Sequence, residues 1–273
     1  MAVFMEFLGH GACGVNTKAS WLPYFHVFGI SDAWAWPLMR VVGTMDIALG
    51  VAVLLAPRRA LLLYMAIWGC FTALLRPLAG EGGWEFIERA YNYGVPFTLL
   101  LLYGFGPRLG GWFVPLKVVP SLSEERARTL LWGMRLIVAL MLIGHGGFGA
   151  VMAKRNLLGF YGAAGLGVFN IPLETIRSGI GFFEIGLGVA VLVTIGRSLL
   201  AFIFAWKLAT ECLYLVAGAQ LACWEVIERG GSYAAPLAAL CLLQAVRAWG
   251  NSPVSSTRGA SRHCAGSVGA ECR

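Results

Sequence analysis

The chain has 273 residues, is 58% hydrophobic and 13% charged, and has a mean hydropathy of +0.72. Soluble domains carry about 25% charged residues, so the composition excludes an ordinary water-soluble globule and implies a polytopic membrane protein. A net charge of +7 would point to nucleic acid in a soluble chain. Here the charge follows membrane topology instead, and no nucleic-acid partner is expected.

The first stretch, Met1 to Gly14, is too short to span a bilayer, which takes about 20 helical residues. It ends in Gly9-His10-Gly11-Ala12-Cys13-Gly14. An aromatic, turn-rich segment follows from Trp21 to Asp32, expected to be an outer-surface loop or a re-entrant piece. Apolar helices are then expected over about Ala33–Ala56, Ala60–Ala79 and Trp84–Gly104, the first of these stopped by Pro57-Arg58-Arg59. The connection Gly106–Glu125 is hydrophilic and rich in Pro and Gly breaks, which marks a boundary between halves.

The second half repeats the order. A full span over Thr129–Ala153 ends in Gly144-His145-Gly146-Gly147-Phe148-Gly149, a copy of the early glycine run. By that comparison the first helix lacks its opening turns, through a truncated N-terminus or a genuine half-helix. A loop over Lys154–Pro172 leads to helices at about Leu173–Ile195, Arg197–Ala219 and Trp224–Trp249. Asp46-Ile-Ala-Leu-Gly50-Val-Ala-Val matches Glu184-Ile-Gly-Leu-Gly188-Val-Ala-Val, and Trp68 and Thr72 match Trp206 and Thr210. Trp84-Glu85-Phe86-Ile87-Glu88-Arg89 matches Trp224-Glu225-Val226-Ile227-Glu228-Arg229, each followed by a Tyr and a Pro at equal distances.

These anchors give an all-α integral membrane fold: two parallel four-helix bundle repeats with about eight membrane segments. The domains are a first repeat at 1–105, a connecting loop at 106–125, a second repeat at 126–249 and a disordered cytoplasmic tail at 250–273. Four helices per repeat is an even number, so both halves share one orientation, related by an axis along the membrane normal. Arg58, Arg59, Arg108, Lys117, Arg126, Arg128, Arg197 and Arg247 collect on one side, which the positive-inside rule makes cytoplasmic. Both termini then face the cytoplasm of an inner-membrane protein. Both acidic motifs and both Gly-His-Gly runs face the other side.

Several residue sets could carry chemistry. Asp46 and Glu184 fall near the middle of their helices, where a carboxylate costs a few kcal/mol unless it is neutral or paired. Each is either a hydrogen-bonded helix fastener or a protonatable group in a pocket. Lys207 and Glu211, four residues apart, read as an internal ion pair or a proton relay, with no charged counterpart at Gly69 or Ala73. That asymmetry favours the second half as the specialised one. His10 and His145 are packing histidines or, if face to face, haem ligands; Glu6 lies one turn before His10 and could accept its proton. Glu85, Glu88, Arg89 and Glu225, Glu228, Arg229, with Trp84 and Trp224, suit either a helix start or an outer binding mouth. Seven Cys without a C-x-x-C argue against a thioredoxin-like couple or a thiolate zinc site, and any metal is left unknown. The first residues lack the basic region of a cleavable signal peptide.

Arg135…Gly144-His145-Gly146 and Gly181-Phe-Phe-Glu184-Ile-Gly-Leu-Gly188 resemble the DoxX/DoxD-like membrane family. The likeness covers most of Arg126–Trp249 and, more weakly, Met1–Gly104, as a tandem duplication would. Asp46 in place of the family Glu, and no first-half partner for Arg135, set the first copy apart. The resemblance implies a quinone-associated subunit of a membrane redox system. Glu184, Asp46, His145 and His10 would be its catalytic groups, with a quinone (alternatively haem) as cofactor. Lipid and a soluble or membrane redox protein would be its partners. The competing expectation is a non-enzymatic binder, carrier or assembly factor whose polar motifs are structural.

Overall fold

The structure is a computed structural model and describes residues 1–250 except 107 and 119. The tail segment 251–273, expected to be disordered, lies outside the described residues. Among the described residues the chain is all-helical, without a strand.

Helix α1 (Ala2–Val15) is followed by a short helix α2 (Leu22–His26), then α3 (Asp32–Leu55) and α4 (Arg59–Leu78). A broken pair, α5 (Gly83–Glu88) and α6 (Ala90–Tyr103), closes the first half. The second half runs α7 (Glu124–Ala150), α8 (Asn156–Ala163), α9 (Leu173–Val193), α10 (Arg197–Glu211), α11 (Leu213–Val216) and the broken pair α12 (Ala222–Glu228) and α13 (Gly230–Gly250). Among the described residues, five segments are long and apolar enough to cross a membrane: α3, α4, α7, α9 and the stretch Arg197–Val216. Their outer flanks expose Val41, Leu54, Ile67, Phe182, Val193 and Phe202, as lipid-facing helices do. The protein is therefore a membrane protein. The aromatic segment after α1 is a folded cap of short helices rather than an open loop, and α8 plays that part in the second half.

Packing follows the glycines. Helix α1 lies along α3, and α7 along α9, more extensively than any other pairs of helices among the described residues. A Cβ added to Gly11 would come within 2.5 Å of the Gly43 carbonyl, and one on Gly146 within 2.5 Å of the Gly181 carbonyl. Backbones that close admit only glycine, which is how helices associate where lipid supplies no hydrophobic drive between them.

The two halves also interlock. Helix α1 packs on α12 and α13, and α7 packs on α5 and α6. A Cβ on Gly9 would lie 2.1 Å from the Glu228 nitrogen, and one on Gly144 2.3 Å from the Glu88 nitrogen. Both broken helices break at the arginine, Arg89 (φ −83°, ψ 18°) or Arg229 (φ −87°, ψ 15°). Four residues after Asn92 and Ser232 come Pro96 and Pro236, which have no N–H to return to those carbonyls. Trp84 joins the cluster around Phe148 and Tyr161, and Trp224 the one around Cys13, Trp21 and Met39.

Candidate functional site

The glycine-mediated approach of α1 to α3 sets His10 Nδ1 at 2.7 Å from Asp46 Oδ2. The approach of α7 to α9 sets His145 Nδ1 at 2.6 Å from Glu184 Oε2. The second oxygen of each acid accepts an indole N–H at 2.9 Å, from Trp68 and Trp206 respectively. Asp46 and Glu184 are both essentially inaccessible. Each buried carboxylate thus has both oxygens satisfied, the condition under which burial is tolerated. The four groups read from the sequence as catalytic form two histidine–carboxylate–indole clusters, one per half.

The acidic motifs are buried rather than open. Glu85, Glu88, Glu225 and Glu228 are each at most 5% exposed. Arg89 donates through Nη1 to Glu85 Oε2 at 2.6 Å and to Glu88 Oε2 at 2.9 Å; Arg229 donates to Glu225 Oε2 at 2.6 Å. Lysines cross between the halves. Lys18, just beyond α1, holds Glu225 Oε1 at 2.5 Å, and Lys154, just beyond α7, pairs with Glu85 Oε1. Cys13, Glu225 and Glu228 place three potential metal ligands within 4.8 Å of one another. Lys18 and Arg229 already supply positive charge to that group.

The halves differ beside the imidazoles. In the second, the Lys207 ammonium is wholly buried, 2.8 Å from Glu211 Oε1. Glu211 is further held by Arg229 Nε at 3.4 Å and by the Ser232 hydroxyl, which donates at 3.1 Å. In the first, Gly69 and Ala73 occupy these places; Gly69 packs against the Asn92 carbonyl, and Ala73 borders open space. A cavity of about 260 Å³ opens there, walled by Trp21, Phe25, Phe28, Trp68 and Phe71. His10, Arg76, Arg89, Asn92 and Glu228 supply its polar lining. A smaller space of about 10 Å³, the size of one water, lies beneath it against Glu6, His10, Asp46, Thr72 and Asn92. His145 lines neither space.

Three buried oxygens at this end have no hydrogen-bond partner: Glu6 Oε2, Asn92 Oδ1 and Glu228 Oε2. Such groups cost about 1–3 kcal/mol each when left unpaired, so a polar ligand or water at the site would relieve them. Trp21 stacks on His10 with ring centroids 4.4 Å apart and forms part of the cavity's cover. At its rim the Tyr24 hydroxyl donates to Glu81 Oε1 at 2.5 Å, and Arg76 Nη1 lies 3.1 Å from Glu81 Oε2. Burial alone would raise the Glu81 pKa, but the Arg76 guanidinium and the Tyr24 hydroxyl outweigh it and hold the carboxyl below its usual value. Burial raises the Tyr24 phenol, which stays a donor.

Sequence reasoning gave no site role to Asn92, Tyr24 or Arg177, which donates to the Ala153 carbonyl at 2.9 Å. Asn92 and Tyr24 stand one motif away from assigned residues, and only a knowledge of which helices meet could have found them. Glu6 was legible through its place one turn before His10.

Residues 7–77 match the model of a family described as DoxX-like. No curated protein and no solved structure matches the chain. The matched stretch spans α1 to α4 and so contains His10, Asp46 and Trp68, the cluster beside the cavity. It falls on the half whose likeness reads as the weaker one in the sequence. Through this segment the chain is similar to the DoxX-like family, and its long apolar helices make it a membrane protein.

Proposed function

We propose that the protein is a quinone-associated subunit of a membrane redox system, with the first-half cavity as its ligand site. The observation that carries this reading is an aromatic-walled space of about 260 Å³ with His10 at its polar end and unpartnered buried oxygens around it. Flat aromatic walls suit a ring, and the few polar groups suit its oxygens. With Nδ1 engaged by Asp46, His10 has Nε2 left for a ring oxygen. A bound quinone would supply two-electron, two-proton carrier chemistry. In this chain His10 would hold a proton at Nε2, Asp46 would stabilise the charged imidazole, and Glu6 would take the next proton position inward.

The same proposal includes the architecture that makes the site. Each half is read as one DoxX-like four-helix repeat, eight segments in all counting the short α1 and the broken pairs. The repeats are parallel and both termini lie in the cytoplasm of an inner-membrane protein. His145 and Glu184 then belong to a copy whose ligand space is filled by Lys207 and Glu211. A soluble or membrane redox protein would complete the electron path.

The test is a lipid extract and absorption spectrum of the purified protein, followed by a titration with a short-chain quinone read through tryptophan fluorescence. Quenching that is lost in His10→Ala and kept in His145→Ala is the expected result. No co-purifying quinone, no quenching and no quinone-dependent electron transfer would sink the reading. A haem Soret band would redirect it to the histidines as ligands.

A second reading, a non-enzymatic binder or assembly factor, draws on the buried ion pairs. Lys18–Glu225 and Lys154–Glu85 each join one half to the other, as structural fasteners do. A Glu225→Ala, Glu228→Ala variant that loses its fold favours this reading. A folded variant without ligand binding favours the first.

A further inference from the structure

Away from the histidine clusters, at the end where α7 begins and α9 and α13 finish, lies a space of about 300 Å³. Three arginines line it, Arg128, Arg135 and Arg247, among apolar neighbours that include Leu131, Trp132 and Leu243, and no acid does. We infer that this groove is a binding site for a phospholipid with an anionic headgroup.

The geometry supports that assignment in three ways. First, positive charge is gathered without a matching anion. Arg247, in the last turn of α13, makes no ion pair or hydrogen bond among the described residues. Arg128 has one partner, Glu124 at 2.6 Å, on the exposed surface, where water screens such pairs and they contribute little.

Second, the groove has a rigid floor. Arg135 is 7% exposed, stacks 3.8 Å from the Trp132 ring centroid, and donates to the Val191 and Leu192 carbonyls at 2.9 and 2.7 Å. Those bonds use Nε and Nη2 and leave Nη1 for another acceptor. Satisfying the last carbonyls of α9 also fixes the guanidinium where a phosphate would approach.

Third, charge and grease occur in the order a lipid presents them. Trp132 is 55% exposed near the end of a span, the position of an interfacial anchor, and the leucines carry the wall towards the bundle. A free oxyanion would use the arginines and leave the apolar wall wet. A phospholipid covers both, and basic pockets between membrane helices do take anionic headgroups.

The experiment uses the full chain in a neutral detergent, titrated with dioleoyl phosphatidylglycerol or dioleoyl phosphatidylcholine and read by native mass spectrometry. A basic residue near a membrane surface contributes about 1 kcal/mol, or about fivefold in binding. The wild type should prefer phosphatidylglycerol, and Arg128→Gln with Arg247→Gln should lower that preference about 25-fold. Both residues are exposed, so the double variant keeps its fold, checked by thermal melting. Arg197→Gln, at the same end but outside the groove, should change the preference less than about twofold.

Three results would overturn the inference. One is an unchanged preference in the double variant. Another is an equal loss in Arg197→Gln, which would mean diffuse surface charge. The third is displacement of phosphatidylglycerol by millimolar inorganic phosphate alone, which would make the groove an oxyanion site.

Discussion

His10 and His145 hold the same kinds of partner, yet it is His10 that lines the aromatic-walled cavity. Each ties Nδ1 to a buried acid at 2.6–2.7 Å, and each acid takes a tryptophan N–H at 2.9 Å. One helix over, Ala73 borders the cavity in the first half, while the buried Lys207–Glu211 pair stands in the second. The framework and the vacancy are therefore separable features. In each half the histidine–carboxylate–indole cluster joins three helices. In the proposed reading only the first-half cluster also borders a ligand space.

The strongest test of that separation is to strip Lys207 of its anion. Glu211→Leu should cost about 3–5 kcal/mol, because a fully buried ammonium is left without its 2.8 Å partner. Lys207→Met combined with Glu211→Leu should recover part of that loss in a thermal melt in detergent, the remainder being the Glu211 contacts to Arg229 and Ser232. A double variant as unstable as the single one would mean the pair does more than occupy space.

The next largest effect concerns the frame itself. Gly9→Val should destabilise by about 3 kcal/mol or more, because its Cβ would meet the Glu228 backbone at 2.1 Å. Gly179→Val, on a helix face with nothing within 4 Å, should stay within about 1 kcal/mol of wild type. Comparable melting points for the two would break the account of the helix crossing.

His145→Ala and His10→Ala sharpen the comparison directly. Each removes a hydrogen bond to a charged partner and should cost about 2 kcal/mol. Only His10→Ala should also abolish ligand quenching of tryptophan fluorescence. If both variants lose it, the filled half takes part in binding.

The smallest effect is on pH. Glu81 ionises more easily in the fold than free in water, so its contribution is complete above about pH 4.5 and fades as acid protonates it below that. The Tyr24–Glu81–Arg76 contact should then loosen, and Trp21 emission should shift towards the red only below that pH. A shift between pH 6 and 8 would point to a different group.

Much of this was legible in the residues, and the illegible part has one physical cause. Hydropathy and glycine spacing locate the long helices, because both are local properties. The doubled Trp-Glu-x-Ile-Glu-Arg motifs and the mid-helix acids stand out for the same reason. Which lysine meets which glutamate is not local: Lys18 reaches Glu225, and Lys154 reaches Glu85, across the middle of the chain. The acidic motifs look like an exposed mouth in the sequence, where charge on a short helix usually faces water. Their burial follows from those crossing lysines and from Arg89 and Arg229, which bring compensation along. The cavity is the hardest feature to foresee, since its wall includes a small residue, Ala73, whose meaning depends on what stands opposite.

The glycine-to-glutamate contacts have a consequence for how the molecule is made. Gly9 rests against the turn at Glu228, and Gly144 against the turn at Glu88. As the ribosome releases the chain, α1 must wait for nearly the whole sequence before its final neighbour exists. The early segments are thus inserted as unfinished pieces with a polar flank, and the last broken helix acts as the clasp that shuts them.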